Sequence, residues 1–151
     1  MPMWLPVAVA TAIAMELWAV VVHGWLWHGV LWPFHKPHHR KEKGLNLNDL
    51  LSMSHAPVAI LAIVAGYLAE GWGAQVSFGV GIGMTAFGVA YVVVHDGFVH
   101  GRLPLSFLRG LPYFEWIRRS HLVHHGNNGP PYGLFFPVGA VRQAGRGDVV
   151  Q

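Results

Sequence analysis

His23-Gly-Trp-Leu-Trp-His28-Gly-Val-Leu-Trp-Pro-Phe-His35-Lys-Pro-His38-His39 places five histidines in seventeen residues, at the end of a long apolar run. The same spacing returns late in the chain. His95-Asp-Gly-Phe-Val-His100 repeats the H-x4-H pair, and His121-Leu-Val-His124-His125 repeats H-x2-H-H. Ten of the eleven histidines fall in these clusters and only His55 stands apart, which suits an interfacial residue without a clustered partner. Imidazole is the commonest protein ligand for iron, zinc and copper, and it binds as the neutral form. Ordinary surface or core use explains a single histidine, but not ten of eleven in duplicated patterns.

Working outward, the residues around the clusters are those of a membrane protein. The chain is 53% hydrophobic and 11% charged, against about 25% charged in a typical soluble domain. Three apolar spans are predicted, at about residues 4–27, 53–69 and 76–94, each near the roughly 20 residues that cross a hydrocarbon core. A helix is predicted over about 112–125, opened by Pro112, with a short fourth embedded segment possible there. The first run is not read as a signal peptide, because no Lys or Arg precedes it and it exceeds the usual apolar length. Asn46, Asn48 and Asp49 can cap the second span. Gly79, Gly81, Gly83 and Gly88 allow close helix packing, with one G-x-x-x-G among them. Leu134-Phe-Phe-Pro137 is expected to fold back on the membrane face, and residues 141–151 to be disordered. The length suits one domain, 1–151.

All ten Lys and Arg lie in three blocks, Lys36 to Lys43, Arg102 to Arg119 and Arg142 to Arg146. With three spans, the ends of the first and third fall on one side, so every histidine cluster and every basic residue shares that side. The positive-inside rule makes it cytoplasmic. A nucleic-acid binder would spread its basic residues over a soluble surface, so that class is excluded. With no cysteine, disulfides, cysteine-ligated zinc and iron–sulfur clusters are excluded as well. The expected fold is therefore all-α, an integral membrane bundle of three to four transmembrane helices with a cytoplasmic-face polyhistidine di-metal site.

On a helix, the three rings of H-x2-H-H lie over one turn and can converge. H-x4-H behaves differently. Five residues advance a straight helix by about 500°, which leaves the two rings roughly 140° apart. Such a pair serves either two ions or a helix that ends or bulges between them. Ten ligands exceed what one ion takes, so two metals with four or five histidines each fit the count. Neutral ligands leave such metals strongly electrophilic, and a site beside apolar spans would meet lipid-dissolved substrates. Glu16, mid-span and costly to bury alone, and Asp96, beside His95, are the candidates to support ligand imidazoles. Glu16 is equally readable as a protonated carboxyl bonded to a neighbouring helix.

The clusters resemble the membrane di-iron fatty-acid hydroxylase and desaturase superfamily, and within it the bacterial β-carotene hydroxylases. The likeness runs through Met15-Glu16-Leu17, His23-x4-His28-Gly, Phe34-His-Lys-Pro-His-His39, Asn48-Asp49, His95-Asp-Gly-Phe-Val-His100, Ser120-His-Leu-Val-His-His125 and Gly133-Leu-Phe-Phe. It covers nearly the whole chain in order. The chain departs at Gly126-Asn-Asn-Gly-Pro-Pro-Tyr-Gly133, which bears on the substrate entrance. The resemblance implies a monooxygenase that hydroxylates C3 of the β-ionone rings of carotenoids in the bacterial inner membrane. It implies two iron ions, which zinc can replace in a purified sample, held by His23, His28, His35, His38, His39, His95, His100, His121, His124 and His125. It also implies dioxygen and two external electrons. With no dinucleotide or flavin motif in the chain, those electrons require a separate donor, such as a ferredoxin with its reductase. The competing readings are a ketolase or a fatty-acid or sterol hydroxylase or desaturase with the same metals, and, from another class, a non-enzymatic haem- or zinc-binding membrane protein.

Overall fold

A computed structural model describes residues 2–40 and 47–137. Asn46 and residues 141–151, for which capping and disorder are expected, lie outside the described residues. Among the described residues the regular structure is all helical, without strands. The elements are α1 (Trp4–Val21), α2 (Trp32–His39), α3 (Leu47–Ser52), α4 (Ala56–Leu68), α5 (Trp72–Tyr91) and α6 (Pro112–Asn127). Two π-helical segments, Val22–Trp27 and Val92–Val99, continue α1 and α5, and a 3-10 turn, Ser106–Gly110, precedes α6.

Three helices are long and apolar enough to cross a membrane: Trp4–Trp27, Leu47–Leu68 and Trp72–Val99. The second includes α3 and starts earlier than the sequence suggests; the third runs on through its π-helical segment. Their outer faces carry large apolar side chains in the open, among them Ile13, Leu17, Leu61 and Leu68. In water such a surface would drive aggregation, whereas in a bilayer it is solvated. The protein is an integral membrane protein.

Helix α5 lies between α1 and α4, and its glycines explain why. A Cβ on Gly79 would stand 2.5 Å from the Trp4 carbonyl oxygen, and one on Gly83 would strike the Ala8 carbonyl. These two face α1 as a G-x-x-x-G pair. Gly81 faces α4, where a Cβ would meet the Ala59 carbonyl at 2.7 Å. Gly88, grouped with them on sequence, has open space around it and takes no part. Backbones this close gain van der Waals contact that lipid tails cannot match. Overpacking a tight interface costs about 1–3 kcal/mol or more. Gly83→Val is therefore expected to lower the melting temperature of the detergent-solubilised protein, while Gly88→Val leaves it nearly unchanged. Equal melting of the two variants would refute this packing.

At the far end, α6 folds back beneath the second π-helical segment. Val94, Phe98, Ile117 and Leu134 form a buried apolar cluster there, flanked by Tyr91, Phe114, Trp116 and Phe135. Leu134 is thus packed inside the protein, and the Leu134–Pro137 stretch docks on α1 through the Phe136 N–H, which donates to Glu16 Oε1 at 2.9 Å.

Candidate metal centre

Each H-x4-H pair has its first histidine inside a π-helical segment and its second on the residue that caps it. Each closes an i→i+5 turn: the His28 N–H donates to the His23 carbonyl at 3.0 Å, and the His100 N–H to the His95 carbonyl at 3.0 Å. The wider turn brings residues five apart onto one face. Of the two arrangements left open by the spacing, the helix bulges between the rings.

The rings gather into two groups. His23, His28, His35, His39 and His124 bring their ligand atoms within 4.8 Å of one another, and so do His38, His95, His100 and His121. His125 joins the second group, its Nε2 standing 2.8 Å from His121 Nε2 and 3.2 Å from His38 Nε2. Each group thus comprises one H-x4-H pair, the i,i+4 pair of one H-x2-H-H cluster, and the middle histidine of the other cluster. His38 crosses from α2 to the second group, and His124 crosses from α6 to the first. The expected convergence of all three rings of a cluster is corrected here. Residues i and i+4 share a helix face, and i+3 is turned enough to reach the neighbouring group. Where the groups meet, the His39 and His125 rings stack with centroids 4.3 Å apart.

The hydrogen bonds around the groups decide which nitrogens face inward. His23 Nδ1 donates to the Tyr132 carbonyl (3.0 Å), His35 Nδ1 to Asn48 Oδ1 (2.6 Å), His124 Nδ1 to the Gly129 carbonyl (2.6 Å), and His95 Nδ1 to Asp96 Oδ1 (3.1 Å). All four partners are acceptors, so Nδ1 carries the proton and Nε2 holds a lone pair. Yet His23 Nε2 and His35 Nε2 lie 3.0 Å apart, with no proton between them. Facing lone pairs repel unless a cation lies among them, and outward-held tautomers are how proteins orient metal-binding imidazoles. The donor set fits a metal ion in each group. Five imidazoles crowd each group and leave no plane free for a porphyrin between any two of them, against the haem reading.

Burial above all, with the neighbouring imidazoles, keeps His28, His35, His38, His121, His124 and His125 neutral. It lowers His28 to about 4 and, against the opposing hydrogen bonds, His35 and His124 to about 3. His38, His121 and His125 are pushed far below the ordinary imidazole value for the same reasons. Neutral imidazole is the metal-binding form, so no proton need be displaced near pH 7. The unfolded chain binds more protons than the folded one between about pH 6.5 and these lowered values, so stability rises with pH through that window. Metal-free protein is expected to be fully stable above pH 6.5 and to lose melting temperature steadily toward pH 4. A flat profile over that range would show that the rings do not stay neutral.

The supporting residues are only partly those expected. Asp96 holds His95 and lies 3.9 Å from Arg102, which bridges to Asp49 at 3.0 Å and so ties α3 to the second group. Glu16 touches no imidazole among its described hydrogen bonds. It binds the Phe136 N–H, with the amides of Leu134 and Phe135 beside it. Its service to the metal centre is indirect, since that loop carries the Tyr132 carbonyl. Asn48, expected only as a cap, is a buried acceptor for His35. The adjacency of Asn48 and Asp49 in the sequence was its only signal. Tyr132 and Gly129 act through backbone carbonyls, which carry no sequence signal. His55 lies apart from both groups and accepts a hydrogen bond from Trp18 Nε1 at 2.7 Å.

A cavity of about 440 Å³ opens beside the first group, walled by apolar residues of α1 and its π-helical continuation, α4 and α5, including Met15, Val22, Ala56, Ile60, Met84, Phe87 and Val89. His23, Trp27 and Tyr132 line it next to the centre, and Trp18 and His55 also contribute to its wall.

Fold and site together define a class of integral membrane protein with two all-histidine groups, each able to hold a metal, set against an apolar cavity. Comparison with known proteins agrees. The fatty acid hydroxylase family model matches residues 8–139, and the chain belongs to that family. It is 42% identical over 131 residues to a chloroplastic β-carotene 3-hydroxylase of an Oncidium hybrid cultivar, covering 85% of this chain and 43% of that protein. Against the chloroplastic β-carotene 3-hydroxylase 2 of Arabidopsis thaliana it is 39% identical over 141 residues, 91% of this chain and 46% of that one. Against the β-carotene hydroxylase of a Paracoccus strain it is 36% identical over 132 residues, 86% of this chain and 79% of that one. The chain spans about half the length of the plant relatives it matches. No solved structure matches it.

Proposed function

We propose that this protein is a di-iron monooxygenase that hydroxylates C3 of the β-ionone rings of carotenoids, converting β-carotene through β-cryptoxanthin to zeaxanthin. The observation that carries the reading is the shared wall: His23 belongs to the first histidine group and also lines the apolar cavity. The likeness to β-carotene hydroxylases supports the substrate class. Two iron ions, one per group, would be held by His23, His28, His35, His39 and His124 and by His38, His95, His100, His121 and His125. When bound, iron supplies dioxygen activation and the attack on an unactivated C–H bond.

The protein residues do the rest. The Tyr132, Asn48 and Gly129 acceptors, with Asp96, hold the imidazoles as neutral, inward-facing ligands. The apolar wall admits a hydrocarbon ring from the bilayer and excludes water. In the reaction one oxygen atom enters the C3–H bond as hydroxyl, and the other leaves as water with two electrons and two protons. The electrons come from a separate donor of the ferredoxin type. The basic histidine face, which the positive-inside rule makes cytoplasmic, suits an acidic donor. Glu115 takes up part of that charge, bonding Arg118 at 2.8 Å and Arg119 at 2.7 Å, and Asp49 pairs with Arg102, so the exposed Arg109 is the better docking residue. The membrane would be the inner membrane of a bacterium.

Pigment analysis of a β-carotene-producing bacterial host carrying the chain tests this. β-Cryptoxanthin and zeaxanthin are expected. Ketocarotenoids would keep the metal centre and replace the reaction. Unchanged β-carotene, with the protein in the membrane, two irons bound and reductant present, would overturn the assignment.

A further inference from the structure

Hydroxylation at C3 poses a chemical problem that the metals do not solve. In a β-ionone ring the neighbouring C4 is allylic to the ring double bond, and its C–H bond is the weaker. A centre that chose by reactivity alone would oxidise C4. Selection of C3 therefore requires a wall that fixes how the ring sits against the centre, since displacements on the order of 1 Å can change rates about 10²-fold.

Tyr132 has the geometry of that wall. Its ring centroid lies 5.7 Å from that of His23, 5.3 Å from His28 and 5.5 Å from His124, against three of the five rings of the first group. Tyr132 also lines the cavity. It is also held firmly in place. Its carbonyl accepts the His23 Nδ1 proton at 3.0 Å. A Cβ on Gly24 would come within 2.7 Å of the Tyr132 ring, so the π-helical segment that continues α1 is pressed against it. On its other side Gly133 packs on Glu16, where a Cβ would stand 2.9 Å from Oε1, and the Phe136 N–H is bonded to that same oxygen. The loop is thus held at Tyr132 by the π-helical segment and just after it by Glu16 of α1.

We infer that Tyr132 is the specificity-determining residue of this centre: its ring stops the carotenoid end ring at the depth that presents C3, rather than C4, to the first histidine group. The inference rests on the carotenoid reading above. Tyr132 acts through the bulk and placement of its ring, and its hydroxyl is not needed.

The test uses the full chain, with Tyr132→Phe and Tyr132→Ala, in the β-carotene-producing host, and measures the ratio of C4- to C3-oxygenated products alongside metal per chain. Tyr132→Ala is expected to raise that ratio about tenfold or more with both metals retained, and Tyr132→Phe to stay within about twofold of the intact chain. β-Carotene binding to metal-free protein, read by tryptophan quenching, is expected to weaken no more than about threefold in Tyr132→Ala, because the remaining walls persist. An unchanged ratio in Tyr132→Ala would overturn the inference. So would metal loss in step with activity, which would make Tyr132 a prop for the ligands, or an equal shift in Tyr132→Phe, which would assign the effect to the hydroxyl. A tenfold loss of binding would make it a general affinity contact and overturn it too. If the intact chain oxygenates no carotenoid, the substrate reading falls before any variant is compared, and the inference falls with it.

Discussion

Alanine in place of His124 is expected to bring hydroxylated carotenoid to about 1% or less of the intact chain's yield and to remove one of two metals. Loss of a supporting residue alone costs about 10–100-fold in metal affinity or activity, and loss of a ligand costs more. His124 is buried, its Nδ1 proton is engaged by Gly129, and its Nε2 lies 3.2 Å from His28 Nε2, so nothing nearby can replace it. The crossed arrangement sharpens the test. His38 lies on the same short helix as His35 but faces the second group, beside His121 and His125. A double variant of His38 and His121 should therefore lose no more metal than either single variant, because both damage one ion's site. A double variant of His38 and His35 should lose both metals. Metal analysis after chelator dialysis reads the difference. The opposite pattern would mean that each sequence cluster serves its own ion.

Asn48→Ala is the second large effect, although Asn48 is itself no ligand. It strips the acceptor from the buried His35 Nδ1, and an unsatisfied buried donor costs about 1–3 kcal/mol. It also frees the His35 ring to turn or to change tautomer. A loss of about 10–100-fold in the affinity of the first group is expected, again the usual cost of removing such a support. Asn48→Asp keeps an acceptor at the same place and should recover most of it. If Asn48→Ala and Asn48→Asp retain metal equally, the hydrogen bond has no role and the residue only fills space.

Much of this was legible along the chain. Apolar runs with charges confined to three blocks are what a bilayer requires, and they marked the spans. Duplicated histidine spacing marked the centre, because few other uses explain ten imidazoles in such patterns. The misreadings share a cause. Asn48 looked like a helix cap because sequence shows only its near neighbours, while its partner His35 lies across a turn of chain. Glu16 was readable equally as an imidazole acceptor or as a carboxyl bonded within the bundle, and its bonded partner is a backbone amide 120 residues away, which leaves no mark in the sequence. Gly88 looked like Gly79 and Gly83, but only the rotation of α5 separates the packed glycines from the open one.

The sequence by itself determined the solvent of this protein, the number of candidate spans and the identity of the ten imidazoles, because hydropathy and ligand chemistry are properties of side chains wherever they lie. Only the tertiary structure decided which imidazoles meet. The π-helical turns, the crossing of His38 and His124 between groups, and the Tyr132 loop clamped on α1 depend on backbone geometry and on contacts between distant segments. Those are settled by packing, and packing is a property of the whole chain at once.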